Sequence, residues 1–333
     1  MAVSGVPVHE CIGVDLGGTK LSVGLLRDGE LAEHREQPTV LESTDALLEQ
    51  VMHAISSMRG EQTEAIGLGI PSTVDWATGR ARASVNIPLV DVPVRDLLSE
   101  RLGLPVFVDN DATCAALAEA HHGDGPVPDS MVMFTVGTGV GGGIIIGGRP
   151  FRGATGAAAE IGHMVIAADV VADGPPRRGG DHFPKPASLE WLASGRALDR
   201  LARRSAQRNR SWELGRRARE RVVGGRDVVE AAQAGDPEAR RLLAVLGERL
   251  GLGIATAVNF LDPEVVAIGG GVSTARELLL DPAREVAQRF ILPGVGTSTE
   301  IRLARSGPEA GVHGAAMLAA QEVGQSDTAG VRA

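Results

Sequence analysis

Cys11-Ile-Gly-Val-Asp15-Leu-Gly-Gly-Thr-Lys20, running on into Leu21-Ser-Val-Gly-Leu-Leu26, is the stretch on which the fold turns. Cys11–Asp15 is an apolar run closed by an acid, Leu16–Lys20 is a glycine turn, and Leu21–Leu26 is apolar again. The segment therefore reads strand, turn, strand. An echo follows: Met131–Val136 is apolar, Gly137–Gly143 is a turn, and Ile144–Ile146 continues as a strand. Two such units suggest two related halves. Around them, helical periodicity alternates with short apolar runs, which predicts an α/β architecture.

The helices are expected at Ser43–Met58, Val92–Leu102, Asp111–Ala120, Ser188–Arg221, Asp227–Leu250 with Ile254–Leu261 extending it, and Ala310–Glu322. Further strands are expected at Ala65–Ile70, Val106–Asp109 and Val265–Ile268, the last entering Gly269-Gly-Gly271. Asp169–Pro186 reads as a surface loop. The arginines of Ser188–Arg221 read as a solvated face.

A length of 333 residues suits about two domains. Hydrophobic residues make up 43% and charged residues 23%, which argues against wholesale disorder. Tyr is absent and aromatics total 3%, so a base-stacking nucleic-acid surface is not expected. A net charge of −9 opposes nonspecific phosphate-backbone binding but leaves room for a local anion pocket. Cys11 and Cys114 are far apart without a CxxC pair, which excludes a disulfide scaffold and a cysteine-rich zinc site. No signal-peptide pattern opens the chain and no uninterrupted apolar stretch spans a bilayer, so the protein reads as cytoplasmic.

A turn needs glycines, but it does not need Asp15, Thr19 and Lys20 around Gly17 and Gly18. Thr19 and Lys20 offer donors to phosphate oxygens, and Asp15 can hold Mg²⁺ through water. Gly137, Gly139 and Gly142 match G-x-G-x-x-G, whose dinucleotide reading requires a helix directly afterwards. A β-branched run follows instead, so Gly137-Thr138-Gly139 reads as a hairpin whose amides approach a phosphate, with an ordinary tight turn as the plain alternative. Gly269, Gly270 and Gly271 form a third close-approach site, suited to the nucleoside end of ATP. Asp111 opens a helix and is either its N-cap or a general base taking a hydroxyl proton. Asn110 would bind the same substrate. Glu160 and His163 pair on one helical turn or make a surface salt bridge, and Glu190 completes the polar set.

The ordered series Asp15–Lys20, Asn86-Ile-Pro88, Asp109–Ala112, Gly137–Gly143, Glu160-Ile-Gly-His163, Leu189-Glu190 with Ala193-Ser-Gly195, and Gly269–Gly271 resembles the ROK family of sugar kinases and sugar-responsive repressors over residues 10–320. The resemblance implies an actin-like ATPase (ribonuclease H-like) fold: two α/β domains with an interdomain cleft. It places an N-terminal domain at 1–120, a larger one at 121–309, a C-terminal helix near 310–323 returning to the first, and a disordered tail at 324–333. It implies ATP and Mg²⁺, Asp111 as catalytic base, and sugar contacts from Asn86, Asn110, Glu160, His163 and Glu190. Glucokinase chemistry at the sugar 6-hydroxyl is the expectation, with N-acetylmannosamine, N-acetylglucosamine or fructose kinases and a non-catalytic sugar-binding protein as alternatives. A homodimer is likewise implied. The family's cysteine zinc motif is missing, because Met164–Leu189 holds no cysteine; Asp181 and His182 alone are weak ligands, so a zinc site is not expected. A repressor would need a helix-turn-helix ahead of Cys11, where no room is expected.

Overall fold

The computed structural model describes residues 9–84, 86–123, 125–167 and 183–330. β1 (Glu10–Leu16) turns through Gly17–Thr19 into β2 (Lys20–Arg27), and β3 (Glu30–Pro38) adds an antiparallel edge. After α1 (Thr44–Ser56), β4 (Thr63–Ile70) pairs parallel to β1. A small β5–β6 hairpin (Ser72–Asp75, Arg80–Ser84) and α2 (Val94–Leu102) precede β7 (Val106–Asn110), which pairs parallel to β4 and runs directly into α3 (Asp111–Ala120). The sheet order is β3-β2-β1-β4-β7.

The second sheet repeats the design. β8 (Ser130–Val136), β9 (Val140–Ile146) and β10 (Arg149–Pro150) are followed by helices α4 (Leu189–Ala193), α5 (Gly195–Arg208), α6 (Glu213–Arg217), α7 (Gly225–Gln233) and α8 (Pro237–Leu261). β11 (Val265–Gly269), α9 (Glu277–Phe290), β12 (Glu300–Leu303) and α10 (Ala310–Gly330) complete the chain, with sheet order β10-β9-β8-β11-β12.

The described residues fall into two compact units. The first holds the residues up to Asp129, Gly143–Ala159 and those from Arg305 onward; the second holds Ser130–Gly142 and Glu160–Ala304. This differs from the expected 1–120 and 121–309: the end of β9, β10 and the loop after it go with the first unit. In that unit α10 packs on β1 and β4. Close approach explains two strand glycines, since a Cβ on Gly67 would run into the Ala315 carbonyl and one on Gly13 into that of Val312. We therefore expect Gly67→Ala to lose about 1–3 kcal/mol by overpacking, read as a lower urea midpoint. An unchanged midpoint would mean that the helix does not lie against this strand.

Several elements depart from the sequence reading. The helical stretch expected over Ser188–Arg221 is three helices, because Ser194 leaves helical geometry to cap α5, accepting from the Ala197 amide at 3.3 Å. The stretch from Asp227 is split at Gly235, where φ is +97°, and restarts at Asp236-Pro237 with the Asp236 carboxylate as N-cap. The second glycine turn is shorter than expected, since β9 begins at Val140. α10 continues to Gly330 where a disordered tail was expected from 324. α8 is, among the described residues, the one helix long and apolar enough by composition to cross a bilayer, but Glu248 and Arg249 interrupt it and it packs on α9. The Asp169–Pro186 loop lies mostly outside the described residues.

Candidate active site

The first unit gathers Asp15, the Gly17–Lys20 turn, Asn86, Asn110 and Asp111. The turn is closed by the Gly17 amide on the Lys20 carbonyl at 2.8 Å, and Thr39 Oγ1 donates to the Gly17 carbonyl at 2.7 Å. Gly18 and Thr19 amides make no backbone hydrogen bond among the described residues, so they stay available to an anion. Gly18 stands against Asn86, where a Cβ would come within 2.8 Å of Asn86 Cβ. Lys20, exposed at the start of β2, is 2.5 Å from Glu36 Oε1 on β3. That contact holds the Glu36 carboxyl below its usual range. An incoming phosphate must therefore compete with Glu36 for the ammonium.

β7 delivers three consecutive polar residues to one place. Asp109 is 2% exposed, and its Oδ2 accepts from Arg152 Nε at 2.8 Å. Asn110, not Asp111, is the N-cap of α3: its Oδ1 accepts from the Ala112 and Thr113 amides at 2.9 and 3.3 Å. This corrects the N-cap reading of Asp111 by one residue. It also commits much of the Asn110 amide, whose Nδ2 donates to the Ser72 carbonyl at 3.3 Å. Asp111 is the first helical residue. Its Oδ1 accepts from the Ala112 amide at 2.8 Å, while Oδ2 has no partner among the described residues. Burial pushes the Asp111 carboxyl above the usual range, against the Ala112 amide, which lowers it.

Asp15, near the end of β1, lies against the first turn of α10, where a Cβ on Gly311 would fall 3.1 Å from Oδ1. Its carboxyl is pushed up to about 7, first by burial and then by the Asp111 charge, with Lys20 pulling the other way. The folded chain thus holds this proton more tightly than the unfolded chain, whose carboxyl titrates near 3.8. The associated stability is full below about pH 4 and is lost as pH rises towards 7. Thermal melts of wild type and Asp15→Asn across pH 4–8 check this: the wild-type-minus-variant difference should fall over that window. A flat difference would refute it.

The second unit gathers the other predicted groups. Gly137 N donates to the Gly139 carbonyl at 2.9 Å, and the Gly195 amide ties the turn to α5 through the Gly137 carbonyl at 2.8 Å. Glu190, in the first turn of α4, accepts from the Val140 amide at 2.9 Å, and its carboxylate fills the space that a Cβ on Gly139 would need. Glu190 is therefore bound to the hairpin. Glu160 precedes a 3-10 turn, Ile161–His163, and its Oε2 lies 3.8 Å from His163 Nε2, with both side chains exposed. Gly270, at φ +85°, packs on the Val136 backbone.

Beside the hairpin, a cavity of about 640 Å³ is lined by Thr138, Arg196, Arg226, Glu230, Gln233 and Gly271, among others. It joins the second and third predicted phosphate sites. Sequence reasoning missed Arg196, Arg226, Glu230 and Gln233. Only Arg196 adjoins a recognisable run, Ala193-Ser-Gly195; the others sit on α7 with no motif to mark them. No group of three His, Cys, Asp or Glu suited to a metal occurs among the described residues, and Asp181 and His182 lie outside them.

The profile of the ROK family matches residues 11–322. The chain is 35% identical over 320 residues to a glucokinase of Halalkalibacterium halodurans, covering 93% of this chain and 95% of that one. Among solved structures it is similar to a ROK hexokinase of Thermus thermophilus, with TM-score 0.77, 36% identity, and 95% and 99% of the two chains covered. It is also similar to a ROK family glucokinase of Streptomyces griseus in complex with glucose and AMPPNP, with TM-score 0.76, 33% identity, and 94% and 99% covered. The fold is the actin-like ATPase fold of these sugar kinases. With the paired glycine hairpins, the β7–α3 acid and the Glu160 to Glu190 polar set in the expected order, this chain belongs to the ROK family.

Proposed function

We propose that this sugar kinase is a glucokinase, transferring the γ-phosphoryl group of ATP to the 6-hydroxyl of glucose with Asp111 as general base. The observation that carries the reading is the state of Asp111. Its capping duty is taken by Asn110, its Oδ2 has no partner among the described residues, and its carboxyl is more basic than usual. Such a group accepts a proton from a hydroxyl as that oxygen attacks phosphorus. Phosphoryl transfer asks little covalent chemistry of a protein, so positioning and charge stabilisation supply the rest.

The other roles follow from the residues gathered in each unit. Gly17, Gly18, Thr19, Gly137, Thr138 and Gly139 offer amides and a hydroxyl to phosphate oxygens, and Lys20 adds a cation once released from Glu36. The 640 Å³ cavity takes the nucleoside, with Gly269–Gly271 at its edge. Asn86, Glu160, His163 and Glu190 bind sugar hydroxyls. A carboxyl at Asp15 raised by burial and by the Asp111 charge suits a divalent cation nearby. Mg²⁺ keeps most of its waters and needs one or two carboxylates plus phosphate oxygens, so Asp15 fits as its protein contact through water. When bound, the ion offsets charge on the phosphoryl oxygens. We assign the protein to the cytoplasm, where ATP and free sugar meet, and assign it a homodimeric state that sedimentation would test.

ADP release from Mg·ATP with glucose, mannose, fructose, N-acetylglucosamine and N-acetylmannosamine tests the reading. Glucose should give the highest kcat/KM. A higher value for an N-acetylhexosamine or fructose moves the substrate, and no release with any sugar supports a binding-only protein.

A further inference from the structure

Several arginines of the second unit have acidic partners: Arg217 meets Glu213, Asp227 and Glu230, Arg221 meets Asp227, and Arg241 meets Glu238. Among the described arginines without an ion pair, Arg200, Arg204 and Arg249 stand out because two of them bond the same helix end and the third lies one turn away. Arg200 Nη2 donates to the Trp191 carbonyl, and its guanidinium lies over the Trp191 ring at 4.4 Å. Arg249, on α8, donates from Nη1 to the next carbonyl, Leu192, at 3.0 Å. Two guanidiniums thus converge on consecutive carbonyls at the end of α4. Arg204 sits one turn beyond Arg200 on α5, on the same face. No ion pair joins any of the three to a carboxylate among the described residues. Asp199 is engaged by the Gly225 amide at 2.6 Å, and Glu248 is an exposed neighbour of Arg249.

Burial lowers the proton affinity of Arg200 and Arg249, and the charge of Arg204 lowers both further. Arg200 and Arg249 are partly buried and Arg204 is exposed beside them, three like charges with no carboxylate between them in a chain whose net charge is −9. A guanidinium carries five donors. Most of these remain unspent after single bonds to Trp191 and Leu192.

We propose that Arg200, Arg204 and Arg249 form a binding site for a phosphate-class oxyanion, separate from the cavity beside the hairpin. None of the three lines that cavity. The chemistry selects the class. A dianionic or more highly charged tetrahedral oxyanion offsets more of the local positive charge than a carboxylate or chloride, and its oxygens match guanidinium forks. The exposed Trp191 ring walls one side. The site adjoins Glu190, so occupancy bears on the helix that holds the hairpin at Val140.

Calorimetric titration tests this on the full chain saturated with glucose and a non-hydrolysable ATP analogue, at constant ionic strength. Inorganic phosphate, pyrophosphate, a linear polyphosphate and acetate are the probes. Wild type should bind phosphate-class anions at one further site. Affinity should fall tenfold or more in Arg204→Gln and Arg249→Gln, and be largely kept in Arg204→Lys. Orthophosphate binding as tightly as the longer chains identifies a single-phosphoryl ligand, whereas affinity rising with length identifies a linear polyphosphate; both support the site. Arg204 is exposed and makes no bond that folding needs, so Arg204→Gln remains informative if Arg249→Gln is unstable. The proposal is overturned if no further site titrates, if acetate binds equally, or if the glutamine variants match wild type. It is also overturned if they alter only self-association, which would make the cluster a protein contact. None of these readouts depends on turnover.

Discussion

Asp111→Asn should lower kcat by about 10²–10⁴-fold, the usual contribution of a positioned general base, while melting at or slightly above the wild-type temperature. The cap of α3 survives because Asn110 supplies it, and an asparagine at 111 can still accept from the Ala112 amide as Asp111 Oδ1 does at 2.8 Å. What disappears is a carboxylate whose charge burial disfavours. Sugar binding should persist, since hydrogen-bonding capacity is kept. A second signature accompanies the first: with the Asp111 charge removed, the Asp15 carboxyl should titrate below the value of about 7 that it has beside Asp111. Steady-state kinetics, a sugar titration and a melting curve on one preparation decide the matter. A variant that keeps its rate but melts early would return Asp111 to a purely structural role.

Arg152→Ala carries the largest expected stability loss, about 3–5 kcal/mol, because it strands a buried partner. Asp109 is 2% exposed and Arg152 14% exposed on their side chains, with Nε and Oδ2 2.8 Å apart. The guanidinium is also stacked over Trp76 at 3.4 Å. Burial raises the Asp109 carboxyl, and Arg152 is what pulls it back down. Without the arginine, the folded chain holds the Asp109 proton more tightly than the unfolded chain. Stability is then retained at low pH and lost as pH rises, so the deficit should be greater at pH 8 than at pH 5. Adding Asp109→Asn should restore part of the loss, since the stranded charge is gone. Urea denaturation of the four-member cycle measures this, and a double variant no more stable than Arg152→Ala would exclude a stranded carboxylate as the cause.

Local chemistry was legible where one residue type has one physical use. The apolar runs of β1, β4, β7, β8 and β11 and the glycine turns after β1 and β8 stand out because buried parallel strands and tight turns leave little choice of residue. The acid at 111 was legible as well, but its neighbour's cap was not: Asn110 and Asp111 are both good caps, and only backbone geometry separates them. β3 was missed because it is an edge strand, polar on both faces, held by pairing with β2 rather than by its own pattern. α9 was missed because Pro282 interrupts it, although Leu279, Leu280, Ala283 and Ala287 bury one stripe. The Asp109–Arg152 pair joins positions 43 residues apart, and nothing in either flanking segment announces the other.

The seat of α10 has a consequence for how the protein is made. A ribosome delivers β1 and β4 early and the helix that covers Gly13 and Gly67 last, after the whole of 160–304 has emerged. The nascent second unit can close while the first still lacks its lid, leaving two glycine-flattened strands bare to water and to neighbouring polypeptides throughout translation. Slower elongation near the end would lengthen that window, and chaperones that shield sheet surfaces would find their client there.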